Sequence, residues 1–165
     1  MEFSTIQIIG IIHIILSGII SVFFIWGPKS LDIYYVLYFL ILNLSWIYMA
    51  NECLFAYLFK KIENSEYVMG SNTELADYKA VMGDLPAEMF RQYLLTAYFI
   101  NLVFILSRSF TGNEKIILGL ATLTYIIYIQ SIHFPNKTLK KISINLHELI
   151  CVLALVFFTL KVASK

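Results

Sequence analysis

Five long apolar stretches, separated by shorter polar ones, set the pattern of this chain. The first runs over residues 6–26 and ends at the turn Gly27-Pro28-Lys29-Ser30. It is longer than a signal-peptide core and lacks both a basic leader and a small-residue cleavage site, so it reads as a retained helix. The second, 32–58, exceeds the roughly 20 residues needed to cross a bilayer and is predicted to tilt or protrude. The remaining stretches are 88–106, 115–134 and 145–162, with Pro135 stopping the fourth and a basic loop over 136–144 before the fifth.

Between the second and third stretches lies the one sizeable polar segment, 59–87. Within it Thr73 can cap a short helix that Gly83 closes, and Leu75, Tyr78 and Met82 share one face of it. The pattern therefore predicts an all-α fold. It is an integral membrane helical bundle of five transmembrane helices with one short surface helix, in a single domain over 1–165. Composition strengthens this reading. Of 165 residues, 59% are hydrophobic and only 14% charged, against roughly 25% in soluble domains. Mean hydropathy is +0.77. A net charge of +1 provides no basic surface for nucleic acid.

With five spans the termini face opposite sides. The clusters Lys60-Lys61 and Lys140-Lys141 next to span ends favour the N-terminal face as cytoplasmic. The two cysteines, Cys53 and Cys151, fall in apolar runs without a C-x-x-C spacing and read as small buried hydrophobes.

Polar residues inside the spans gather towards that same face. At 1.5 Å per residue, His13 and Glu52 lie about 10 Å below it, and Arg91 and Gln92 about 4–6 Å. His147 and Glu148 open the fifth span there, and Gln130 and His133 close the fourth. With Asn51 beside Glu52, these residues outline a polar pocket open to the N-terminal face: Glu52, Asn51, His13, Arg91, Gln92, His147 and Glu148. The opposite half is almost purely apolar, apart from Asp32 near its edge. A buried carboxylate must face protein, water or the interface. Glu52 is thus read as an ion pair with Arg91, as a functional carboxylate, or as a protonated group hydrogen-bonded within the bundle. Each neighbour also has a structural reading. Glu148 follows Asn145 by three, a capping-box spacing; Arg91 and Gln92 can reach the headgroups; His13 and His147 can hydrogen-bond neighbouring helices; His133 can mark a helix end. His13, His147 and Glu52 could also converge on a metal, one ligand per helix, but no helix carries an H-x-x-x-H or E-x-x-H pair. No cofactor is expected and no catalytic motif is recognised.

The stretch Trp46…Asn51-Glu52-Cys53-Leu54…Tyr57…Lys60-Lys61 resembles uncharacterised small multi-span membrane proteins of large DNA viruses. The resemblance covers residues 46–61. It implies a virus-encoded membrane protein and carries no catalytic residue over to this chain.

The expected function is a structural or partner-binding role in a membrane. Lipid is the surrounding partner, together with a homo-oligomer or other membrane proteins, and not nucleic acid. The alternative is a small transporter, channel or membrane enzyme built on the polar pocket around Glu52.

Overall fold

The computed structural model describes residues 5–72, 76–131 and 135–164, with side chains from Gln7 onward. Every regular element among these residues is helical: α1 Thr5–Ser21, α2 Phe23–Trp26, a 3-10 turn Lys29–Leu31, α3 Asp32–Tyr48, α4 Leu54–Glu63, α5 Ala76–Met82, α6 Asp84–Arg108, α7 Gly112–Ser131 and α8 Lys137–Ala163. Among the described residues three helical segments are long and apolar enough to cross a membrane, rather than the five expected: Lys29–Tyr48, Asp84–Arg108 and Lys137–Ala163. α1 is apolar but has 17 residues. α7 has 20, but polar and charged positions at both its ends and Thr122 and Thr124 within it dilute its hydropathy.

The largest departure from expectation lies in the second stretch. The helix expected to continue to residue 58 stops at Tyr48. The Asn51 N–H donates to the Trp46 carbonyl (2.6 Å) and the Ala50 N–H to the Ile47 carbonyl (3.3 Å). This pair of bonds is a Schellman closure. It requires the left-handed conformation at Ala50 (φ 55°), and Asn51 (φ 66°) adopts it as well. Asparagine tolerates that region; alanine pays for its Cβ there. The chain then restarts as α4, with Cys53 at its N-cap.

Other boundaries shift for equally local reasons. The 136–144 segment is helix rather than loop. Asn136 caps α8 through its side chain, accepting from the Thr138 and Leu139 N–H groups. Asn145 is therefore mid-helix, and the capping-box reading of Asn145 and Glu148 is overturned. The third span begins at Asp84, inside what was expected to be loop. The short helix expected over 73–83 is present as Ala76–Met82, but Asp77 and Tyr78 on it are buried. Thr73 and His133 lie outside the described residues.

The chain divides into two compact units. The first comprises residues 1–23 and 45–98. In it α5 packs along α1, and α4 touches both. The close approach of α1 and α5 depends on Gly10: a Cβ there would stand 2.6 Å from the Asp77 carbonyl oxygen and 2.8 Å from Val81 Cγ2. The second unit comprises residues 24–44 and 99–165, and its centre is the α7–α8 pair. Phe39 meets Tyr125 edge-on and Phe110 meets Phe158, with Val36, Leu40, Leu102, Ile105 and Leu118 fully enclosed.

α8 is inside-out relative to a soluble helix. Its buried face carries Ser143, His147, Cys151, Ala154 and Phe158. Its outward face exposes Leu139, Ile142, Leu146, Leu149, Leu153, Val156 and Leu160, a continuous aliphatic stripe.

Candidate functional site

The break at 49–53 places two consecutive residues in two separate polar networks of the first unit. Glu52 is wholly buried. Lys60 Nζ donates to its Oε1 at 2.8 Å, the Tyr67 hydroxyl donates to the same oxygen at 2.8 Å, and the Gly70 N–H donates to Oε2 at 2.9 Å. The Lys60 ammonium also donates to the Asn72 carbonyl. Burial alone would raise the Glu52 pKa, but the Gly70, Lys60 and Tyr67 donors outweigh it and hold the carboxyl below its ordinary value. The partner expected for Glu52 was Arg91, His13 or His147, and none of these holds it. The chain reversal after Asn64 instead brings the 67–72 loop back over the carboxylate. That reversal starts as an Asx turn, with Asn64 Oδ1 accepting from the Glu66 N–H (3.0 Å). Gly70 at φ 78° supplies the left-handed residue, and its missing side chain leaves room for Ala50 Cβ, 2.5 Å from where a Cβ would stand.

Cys53 faces the other network. Its Sγ lies 3.7 Å from His13 Nε2. His13 Nδ1 in turn sits 2.5 Å from Asp77 Oδ2. The Tyr78 hydroxyl stands 3.2 Å from His13 Nε2 and 2.9 Å from Ser17 Oγ. The His13 ring is also packed against Phe55, with centroids 4.5 Å apart. Asp77 is fully enclosed, and its Oδ1 has no hydrogen-bond partner among the described residues. In chemical terms this is a thiol, an imidazole and a carboxylate in series.

The remaining members of the expected pocket are not gathered here. Arg91 and Gln92 both bond Glu88 on their own helix, at 2.7–2.9 Å, on an exposed surface. Asn51 is half-buried and serves the helix closure through its backbone. His147 belongs to the second unit. There it is fully buried, stacked on Tyr128 with centroids 5.0 Å apart, 3.0 Å from Thr124 Oγ1 and 3.4 Å from Asn43 Oδ1. Glu148 is half-buried on α8 beside it in sequence. Among the described residues no three His, Cys, Asp or Glu side chains are placed to hold a metal ion.

Three participants fall outside the sequence expectation: Lys60, read only in the cluster that orients the chain, Asp77, on the helix expected at the surface, and Cys53, read as a small buried hydrophobe. A further buried pair lies in the second unit. Asp32, which opens α3, accepts from Arg108 Nε at 2.8 Å and from Arg108 Nη2 and Ser109, while Arg108 also donates to the Gly27 carbonyl at 2.8 Å. The signal available was positional: an acid at one helix start and a base at another helix end.

Comparison with family models, curated proteins and solved structures finds no match to this chain.

Proposed function

We propose that this chain is a multi-pass integral membrane protein with a structural, partner-holding role, in which residues 49–72 and 76–83 form a self-latched platform at one bilayer face. The observation that carries the reading is the inside-out α8, with its aliphatic stripe outward and its small and polar residues inward. In water such a stripe would be an aggregation surface; in lipid it is the solvated face, and small or polar residues suit helix contacts there. α4 fits the same setting. Leu54, Phe55, Leu58 and Ile62 form one exposed apolar stripe, with Lys60 and Lys61 in its last turn. In the finer form of the proposal α1 and α7 complete five crossings. The lysine clusters put the N terminus on the cytoplasmic side. A viral origin is proposed on the likeness of residues 46–61 alone.

The scaffold reading is preferred over transport at Glu52 because that carboxylate is saturated by donors of its own chain. A solute or proton would have to displace a lysine, a tyrosine and a backbone amide to reach it. Partners of such a platform are a second copy or another membrane protein. Alkaline carbonate extraction of membranes expressing the chain tests residence in the bilayer. The protein is expected in the pellet; release into the supernatant would contradict the proposal.

A further inference from the structure

We propose that Cys53, His13 and Asp77 form a nucleophilic site that accepts a long-chain acyl group from a thioester. The three side chains stand in the order such chemistry needs: Sγ 3.7 Å from Nε2, and Nδ1 2.5 Å from Oδ2. Asp77 accepts from Nδ1–H and so fixes the tautomer with its lone pair on Nε2, which the Tyr78 hydroxyl (3.2 Å) and the thiol (3.7 Å) both face; with Tyr78 donating to Ser17 Oγ, that lone pair serves the thiol. Tyr78, braced by Ser17, is a positioning residue that holds the ring in place.

Two further features stand beside the sulfur. Cys53 is the N-cap of α4 and no side chain caps that helix, so the N–H groups of its first turn are open towards the sulfur's side of the helix end. Beyond the half-buried thiol the exposed side chains are Leu54, Phe55 and Leu58, a surface for an alkyl chain rather than for a polar peptide. A thioester is the fitting donor because exchange of one thioester for another needs no energy input, whereas transfer from an oxygen ester to a thiol runs uphill.

The step balances without oxidant or reductant. His13 Nε2 takes the Cys53 proton, and Sγ attacks the acyl carbonyl carbon. The carbonyl electrons move to oxygen, which the α4 N–H groups receive. Collapse breaks the bond to the leaving sulfur, which takes the proton back from His13. The products are S-acyl-Cys53 and the free thiol of the donor.

The inference rests on membrane residence, and one preparation separates the two. The protein is reconstituted in phosphatidylcholine vesicles, washed with carbonate, incubated with palmitoyl-coenzyme A, and read by intact and peptide mass spectrometry. The expected result is one hydroxylamine-labile palmitoyl group on Cys53, with the buried Cys151 unmodified. Cys53→Ser should show none, and His13→Gln and Asp77→Asn should acylate more slowly, His13→Gln by about 100-fold. In case His13→Gln loosens the fold, the wild-type chain unfolded in dodecyl sulfate gives a second reference and should acylate at least about tenfold more slowly than the folded protein. Carbonate-resistant protein that takes no acyl group would overturn this inference and leave membrane residence standing. Equal rates in folded and unfolded chains, or in wild type and a folded His13→Gln, would also overturn it. An adduct formed in vesicles without thioester would overturn the thioester as donor.

Discussion

Glu52 and Lys60 are a buried pair whose members cannot be removed singly without leaving a charge stranded. Lys60 is almost wholly buried and Glu52 fully so. Breaking a buried pair from one side typically costs about 3–5 kcal/mol, whereas replacing both partners by apolar groups of similar shape is often neutral. Glu52→Gln should therefore lower the thermal unfolding midpoint in detergent by several degrees, and Lys60→Met should do the same. The double variant should recover most of the loss. Arg91→Ala removes only a surface contact with Glu88 and should cost well under 1 kcal/mol, about 0–0.5. The pH dependence has a definite sign. The folded-state pKa of Glu52 is lowered from 4.5, so its stabilising contribution is complete above that value. It is lost as pH falls below 4.5 towards the depressed folded value. Unfolding midpoints of wild type and Glu52→Gln, measured from pH 7 downwards, should converge in that acid range; a gap that widened on acidification would contradict the assignment.

At the scale of elements, the decisive event is the helix closure at 49–53, and little in the sequence announces it. The stretch contains neither glycine nor proline, and an apolar run of helical period continues on both sides. What stops α3 is a backbone arrangement at Ala50 and Asn51 that pays because Ala50 Cβ seats over Gly70 and Glu52 gains its donors. These contacts come from residues 8 to 20 positions downstream, beyond a helical turn, so no local pattern reveals them. The helices themselves were largely legible, because apolar runs of spanning length leave few other folds. The polar cluster was only half legible. His13, Glu52 and Arg91 do fall in one unit, but each has its own partners, and His147 lies in the other unit. The identity of a buried partner depends on chain reversal through 64–72, which propensity does not reach. The element-scale expectations follow directly. Gly70→Ala forces a Cβ into both a left-handed backbone and Ala50, and should destabilise by about 1–3 kcal/mol. Ala50→Gly removes the strain at φ 55° and should be neutral to stabilising by about 1 kcal/mol, less the packing of its methyl. Gly10→Leu should separate α5 from α1 and open the 76–82 segment to protease. Limited proteolysis of the detergent-solubilised variants checks all three.

For the whole molecule, the proposed function turns on whether the apolar helices cross lipid and which of them do. Aliphatic outward faces run along segments of spanning length such as α8 and also along the shorter α1 and α4, while the charged side chains enclosed in each unit are paired within it. This arrangement supports the proposed membrane setting, since an unpaired charge facing hydrocarbon is expensive. The central claim is that Lys29–Tyr48 crosses the membrane and that the chain after it folds back at one face as a latched platform. Single cysteines placed at Lys29 and at Ser65, on a Cys53→Ser, Cys151→Ser background, test it in sealed, oriented vesicles with a membrane-impermeant maleimide. The account predicts labelling of Ser65→Cys from one side only and of Lys29→Cys from the other side only. Labelling of both positions from the same side would contradict it.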